Sequence, residues 1–94
     1  MKVACLVVEI SLPACFSLKD KRSCLKPLLA ALHRKFNLSA AEVEGMDQLR
    51  SAVIACVCVS NDSVHNRRVL ESALAEFAEF DRDIVVESHS IQDI

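Results

Sequence analysis

An α+β domain, with a four-stranded antiparallel sheet and two helices on one face, is what this sequence predicts. Three patterns carry that expectation. Short runs rich in Val, Leu and Ile, with faces of period two, mark strands. Two longer segments, after Ser17 and after Asp62, place leucines and phenylalanines at helical spacing. Strand-like and helix-like segments then follow one another in the order βαββαβ.

The first strand is read over Val3 to Ile10, bounded by Pro13. Ala4, Leu6, Val8 and Ile10 share one face, and Val3, Cys5, Val7 and Glu9 share the other. Ser11 to Phe16 is a connecting loop. Ser17 is a suitable helix N-cap, and Asp20 three residues on can complete a capping-box arrangement. Leu18, Leu25, Leu28, Leu29, Leu32 and Phe36 then form an apolar stripe. Pro27 interrupts it, because proline donates no backbone bond and clashes one turn back. Either one helix kinks there, which is the expectation, or Ser17–Arg22 is a separate turn and the main helix starts near Ser23.

Ser39 to Glu44 reads as a short strand with Glu42 and Glu44 on one face, and Gly45 opens the connection that follows. Ala52 to Val59 is a third strand, apolar on both faces. Ser60-Asn61-Asp62 supplies cap residues for a second helix with Val69, Leu70, Ala73, Leu74, Phe77 and Phe80 on its core side. A fourth strand starts at Ile84 to Val86 and extends to about His89, with the last residues fraying. This order is the ferredoxin-like split βαβ arrangement, here a single domain over residues 1–94. In it the first and third strands are central and the acidic second and fourth lie at the edges. Helices cover one face only, so Val3, Cys5, Val7, Ile54, Cys56 and Cys58 are expected on the open face. Such a patch fits a sheet-to-sheet homodimer or another docked protein. Ile54→Asp is expected to dissolve that dimer.

The apolar share of 52% and the charged share of 26% are those of a soluble globular domain. No run approaches the ~20 apolar residues of a membrane span, and no signal-peptide pattern is visible, so no membrane partner and a cytoplasmic location are expected. The five cysteines include no CxxC pair, and neither a disulfide framework nor a metal site is expected.

The net charge of −2 conceals a gradient. Residues 1–36 carry seven Lys/Arg against Glu9 and Asp20, whereas residues 71–94 carry Arg82 alone against seven acids. The sharpest concentration is Ser17-Leu18-Lys19-Asp20-Lys21-Arg22, which puts three cations at a helix start, where the dipole favours anions. Lys19, Lys21, Arg22 and Lys26 there could hold an anion. The expected arrangement is instead that they pair with Glu76, Glu79, Asp81 and Asp83, which the antiparallel helices bring alongside, as an electrostatic staple. At the other end His33, Arg34 and Lys35 meet His65, Arg67 and Arg68, a second basic patch. Lys19, Lys21, Arg22, Arg34, Lys35, Arg67 and Arg68 are therefore the candidate anion- or nucleic-acid-binding residues. The chain has no Trp or Tyr, which argues against base stacking as the main contact.

Catalysis has little support. There is no glycine-rich phosphate loop, HExxH or GxSxG, and His33, His65 and His89 have no evident nucleophile partner. Cys15 and Cys24 flank the first basic cluster without a further catalytic signal. No catalytic residue and no cofactor are expected.

Ser17-Leu18-Lys19-Asp20-Lys21-Arg22, then Arg34-Lys35-Phe36-Asn37-Leu38-Ser39, Ala41-Glu42-Val43-Glu44 and Ser60-Asn61-Asp62 resemble the YlxP-like family of small uncharacterised bacterial proteins. The match runs in order along nearly the whole chain. Members often carry a Trp in the hairpin after the second strand, where this chain has Leu49, and many lack the proline found here as Pro27. The resemblance implies a ferredoxin-like fold without an established activity. It also implies a ribosome-linked or RNA-linked role, because genes of that family often lie near translation-initiation and ribosome-maturation genes. The expectation is a non-enzymatic binding protein for RNA or a ribosomal component, acting as a homodimer. The alternatives are an interaction module using the open sheet face, and a small-molecule or phosphate enzyme using the first loop.

Overall fold

The computed structural model describes residues 1–94 as β1 (Lys2–Ser11), α1 (Leu18–Lys35), β2 (Ser39–Glu44), β3 (Ser51–Ser60), α2 (Ser63–Phe80) and β4 (Val85–Asp93). The four strands form one antiparallel sheet in the order β2-β3-β1-β4, with both helices on one face. This is the predicted βαββαβ arrangement. The core lies between sheet and helices and is dominated by Leu6, Val8, Ile10, Leu28, Leu32, Ile54, Leu70 and Phe77, each at most 1% exposed.

Local sequence sets the helix limits. Ser17 Oγ accepts from Asp20 N–H at 3.0 Å, and Asp20 Oδ2 accepts from Phe16 N–H at 3.0 Å, so the start of α1 is capped from both directions. Asp62 Oδ1 caps α2 through Val64 N–H at 2.9 Å. α1 continues through Pro27 as one helix. Pro27 is exposed, as is Ser23, whose carbonyl loses its partner, so water is available to that group.

Three strand expectations need correction. Glu42 and Glu44 do not share a face: an irregularity between them sets Glu42 opposite Ile54 on the covered side and Glu44 opposite Val53 on the open side. Ile54, Cys56 and Cys58 face the helices and are buried, not on the open face. The register pairs Val8 with Ile54, Leu6 with Cys56 and Ala4 with Cys58, all on the covered side. The open face instead carries Val3, Cys5 and Val7 of β1 opposite Val59, Val57 and Ala55 of β3. Because β3 is apolar on both faces, its alternation does not define its phase. β4 also extends past His89 to Asp93: its ladder to β1 reaches Ala4 opposite Asp93, and Ile94 N–H donates to Val3 O at 2.8 Å. Backbone pairing, rather than an apolar run, holds Ser88-His89-Ser90 in the sheet. No helix is long and apolar enough to cross a membrane.

Burial pushes the Cys56 thiol up from 9.0 to about 12, with the neighbouring Cys5 and Cys58 adding to the shift. The unfolded thiol loses its proton near 9.0 while the folded one keeps it. This contribution to stability is therefore full below pH 9 and lost as pH rises toward about 12. The melting temperature should fall through this window, and fall less steeply for Cys56→Ala. Equal slopes for the two proteins would contradict this assignment.

Candidate nucleic-acid interface

The structure divides the seven basic candidates into engaged and free groups. Lys21 is 2% exposed. Its ammonium lies 2.7 Å from Glu42 Oε2 and donates to Gly45 O at 2.9 Å and Gln48 O at 2.7 Å. Two carbonyls and one carboxylate surround the buried ammonium, so Lys21 is a strut between α1 and the β2–β3 hairpin and faces no ligand. Gly45 takes φ 72° in that turn, a left-handed conformation that favours glycine. Lys35 is half exposed but already bridges both oxygens of Glu76, at 2.9 and 3.0 Å.

These two are the ion pairs of the structure, and neither joins the Lys19–Lys26 cluster to Glu79, Asp81 or Asp83. The expected electrostatic staple between the helix ends is therefore not formed. Lys19, Arg22, Lys26 and Arg34 are all exposed and free of carboxylate partners. With the exposed His33 they follow the solvent side of α1, about 22 Å from Lys19 to Arg34 at 1.5 Å per residue. Asp20 is the one acid in α1, and its carboxylate is spent on the cap. Arg67 and Arg68 are also exposed, but share their shallow hollow with Glu71 and Asp93, which dilutes the field there.

Several residues have roles that the sequence reading missed. Arg50 lies over the Phe16 ring, 5.1 Å from its centroid, and donates to Cys15 O at 3.2 Å, while Phe16 remains 68% exposed. His33 Nε2 accepts from Ala40 N–H at 3.1 Å and fixes the start of β2. Asn66 is 1% exposed and donates through Nδ2 to Lys2 O at 3.1 Å, tying α2 to β1. The thiols of Cys5 on one side of the sheet and of Cys56 and Cys58 on the other do not converge.

The fold and this distribution of charge can be set beside known proteins. Over 71 residues the chain is 34% identical to the "Uncharacterized protein YlxP" of Bacillus subtilis (strain 168), spanning 72% of this chain and 77% of that protein. A solved structure, "De novo designed protein Foldit4", superposes with a TM-score of 0.55 at 12% identity, covering all of this chain and 97% of the other. That likeness concerns the fold alone. Residues 3–91 match the family described as "Protein of unknown function (DUF503)", and the chain belongs to that family.

Proposed function

We propose that this is a non-enzymatic protein that binds RNA, free or within a ribosomal particle, through the outer side of α1. The observation that carries this reading is the line of Lys19, Arg22, Lys26 and Arg34, exposed and unpaired on a helix whose only acid is consumed by its cap. A series of free cations along ~20 Å suits a phosphate backbone and supplies affinity without sequence readout. Phe16, exposed on one side and backed by Arg50, adds a single surface on which a base can stack beside the start of α1. Lys21 and Lys35 are not part of the interface, and Arg67 and Arg68 contribute at its margin.

The test is fluorescence anisotropy with a single-stranded RNA at rising salt. Affinity should fall with a log–log slope of about −0.7 for each phosphate contact. Converting Lys19, Arg22, Lys26 and Arg34 together to glutamine should abolish binding, while Arg67→Ala with Arg68→Ala should weaken it only a few-fold. Absence of binding to RNA at low salt would refute the reading.

A second feature favours a homodimer. Val3, Cys5, Val7, Val53, Ala55, Val57 and Val59 adjoin on the open face, flanked by Ser88, Ser90 and Gln92, with Glu9 and Glu44 on either side of Val53 as the charges at one end. A flat, small-residued surface whose charges are confined to one end can pack against its own copy. The two readings are compatible, because α1 lies on the opposite layer.

A further inference from the structure

A groove of about 440 Å³ runs between α1 and the β2–β3 turn. Leu18, Leu25 and Leu29 form one wall and Met46 stands on the other, while Arg22 and Lys26 project at the rim. Leu18 is 43% exposed and Met46 56%, so apolar surface is left facing water along this flank. The groove is long: Leu18 to Leu29 spans about 16 Å of helix axis, or three turns. Its floor is chemically closed. Lys21 and Glu42 form an ion pair there, Lys21 donates to Gly45 O and Gln48 O, and Glu42 Oε2, which has no hydrogen-bond partner, is inaccessible to water.

These features select among occupants. A nucleobase or sugar needs several hydrogen-bond partners, and the floor has no free donor to give. An apolar three-turn trough matches the side-chain row of a helix, with anchors at spacings of three and four. The rim sets the partner's charge. Arg22 and Lys26 are one turn apart on α1, exposed and without carboxylates, and the only acid in the lining is neutralised by Lys21. Carboxylates one turn apart on an incoming helix would meet them at matching spacing.

We infer that this groove receives an acidic amphipathic helix of a protein partner, its leucine-type side chains along Leu18, Leu25, Leu29 and Met46 and its carboxylates on Arg22 and Lys26. This goes beyond RNA binding and uses a different surface chemistry, although the two share Arg22 and Lys26.

The test uses three fluorescein-labelled peptides of about sixteen residues: one with leucines at helical spacing flanked by glutamates, a twin with lysines in place of the glutamates, and a proline-interrupted version of the first. The acidic helical peptide should bind, and the other two should bind at least about tenfold more weakly. Met46→Asp, and separately Arg22→Glu with Lys26→Glu, should each weaken the acidic peptide by about tenfold or more, with unchanged circular dichroism. Equal binding of the acidic and lysine peptides, undiminished binding of the proline version, indifference to Met46→Asp, or no binding at all would overturn the inference. Met46→Asp also separates it from the RNA reading, because that variant should retain salt-dependent RNA binding.

Discussion

Lys21→Ala is expected to destabilise the fold by about 3–5 kcal/mol, because it removes one member of a buried ion pair and leaves the other. The Glu42 Oε2 atom is inaccessible to water and its ionic contact is Lys21 at 2.7 Å. The carbonyls of Gly45 and Gln48 lose their donor in the same change. The Glu42 side chain is 20% exposed, so part of the carboxylate can rehydrate, which places the loss toward the lower end of that range. For a domain of this size even 3 kcal/mol lowers the melting temperature by about 12 °C or more. The double variant Lys21→Met with Glu42→Leu should recover most of the loss, since no charge is then left buried without a partner. A Lys21→Ala protein melting within a degree or two of wild type would show that the strut carries little load. RNA binding should persist in the folded fraction, because the Lys21 ammonium faces inward.

The burial of Lys21 shows what could be seen in the sequence and what was hidden. Ser17 and Asp62 marked the starts of their helices because capping depends on residue type within one turn, and both caps form. The order of elements was equally legible. Lys21 was assigned to a charged surface motif, yet it lies at the head of the inward stripe Leu25, Leu28 and Leu32, at spacings of four, three and four. Asn66 stands in the same relation to Leu70, Ala73 and Phe77. In each helix the stripe opens with a polar residue that reaches back to a backbone carbonyl, of the β2–β3 turn or of Lys2. Extending the stripes one turn toward the N-terminus was the available signal. Their acceptors were not legible, because main-chain carbonyls carry no sequence signature. Nor could the lack of pairing between the basic start of α1 and the acidic end of α2 be read. Opposite charges on adjoining helix ends bring the groups near, but exposed pairs gain only ~0–1 kcal/mol and form only when side-chain geometry is favourable.

The phase of β3 leads to the second large expectation, a contrast between two substitutions three residues apart. Ile54 is fully buried between the sheet and the helices, opposite Val8, so Ile54→Asp puts a carboxylate into the core without a partner. Loss of the isoleucine contacts costs about 2–5 kcal/mol. Desolvation of the carboxylate adds several more, or holds the group protonated at a similar cost. Together these rival the ~5–14 kcal/mol that a 94-residue domain has available. Ile54→Asp should therefore yield no cooperative thermal transition, whatever the oligomeric state. Val57→Asp lies on the other face, opposite Cys5, where 36% of the residue is already exposed. Its expected cost to the monomer is below about 1 kcal/mol, within the range of surface substitutions. In a face-to-face dimer the same aspartate meets an apolar surface, and the sedimenting mass should drop to half. A wild-type chain that sediments as a monomer at micromolar concentration would remove the dimer reading but leave the fold contrast standing. An Ile54→Asp protein that melts like wild type would instead place Ile54 on the open face. The pair thus tests the register of the sheet separately from what covers its outer side.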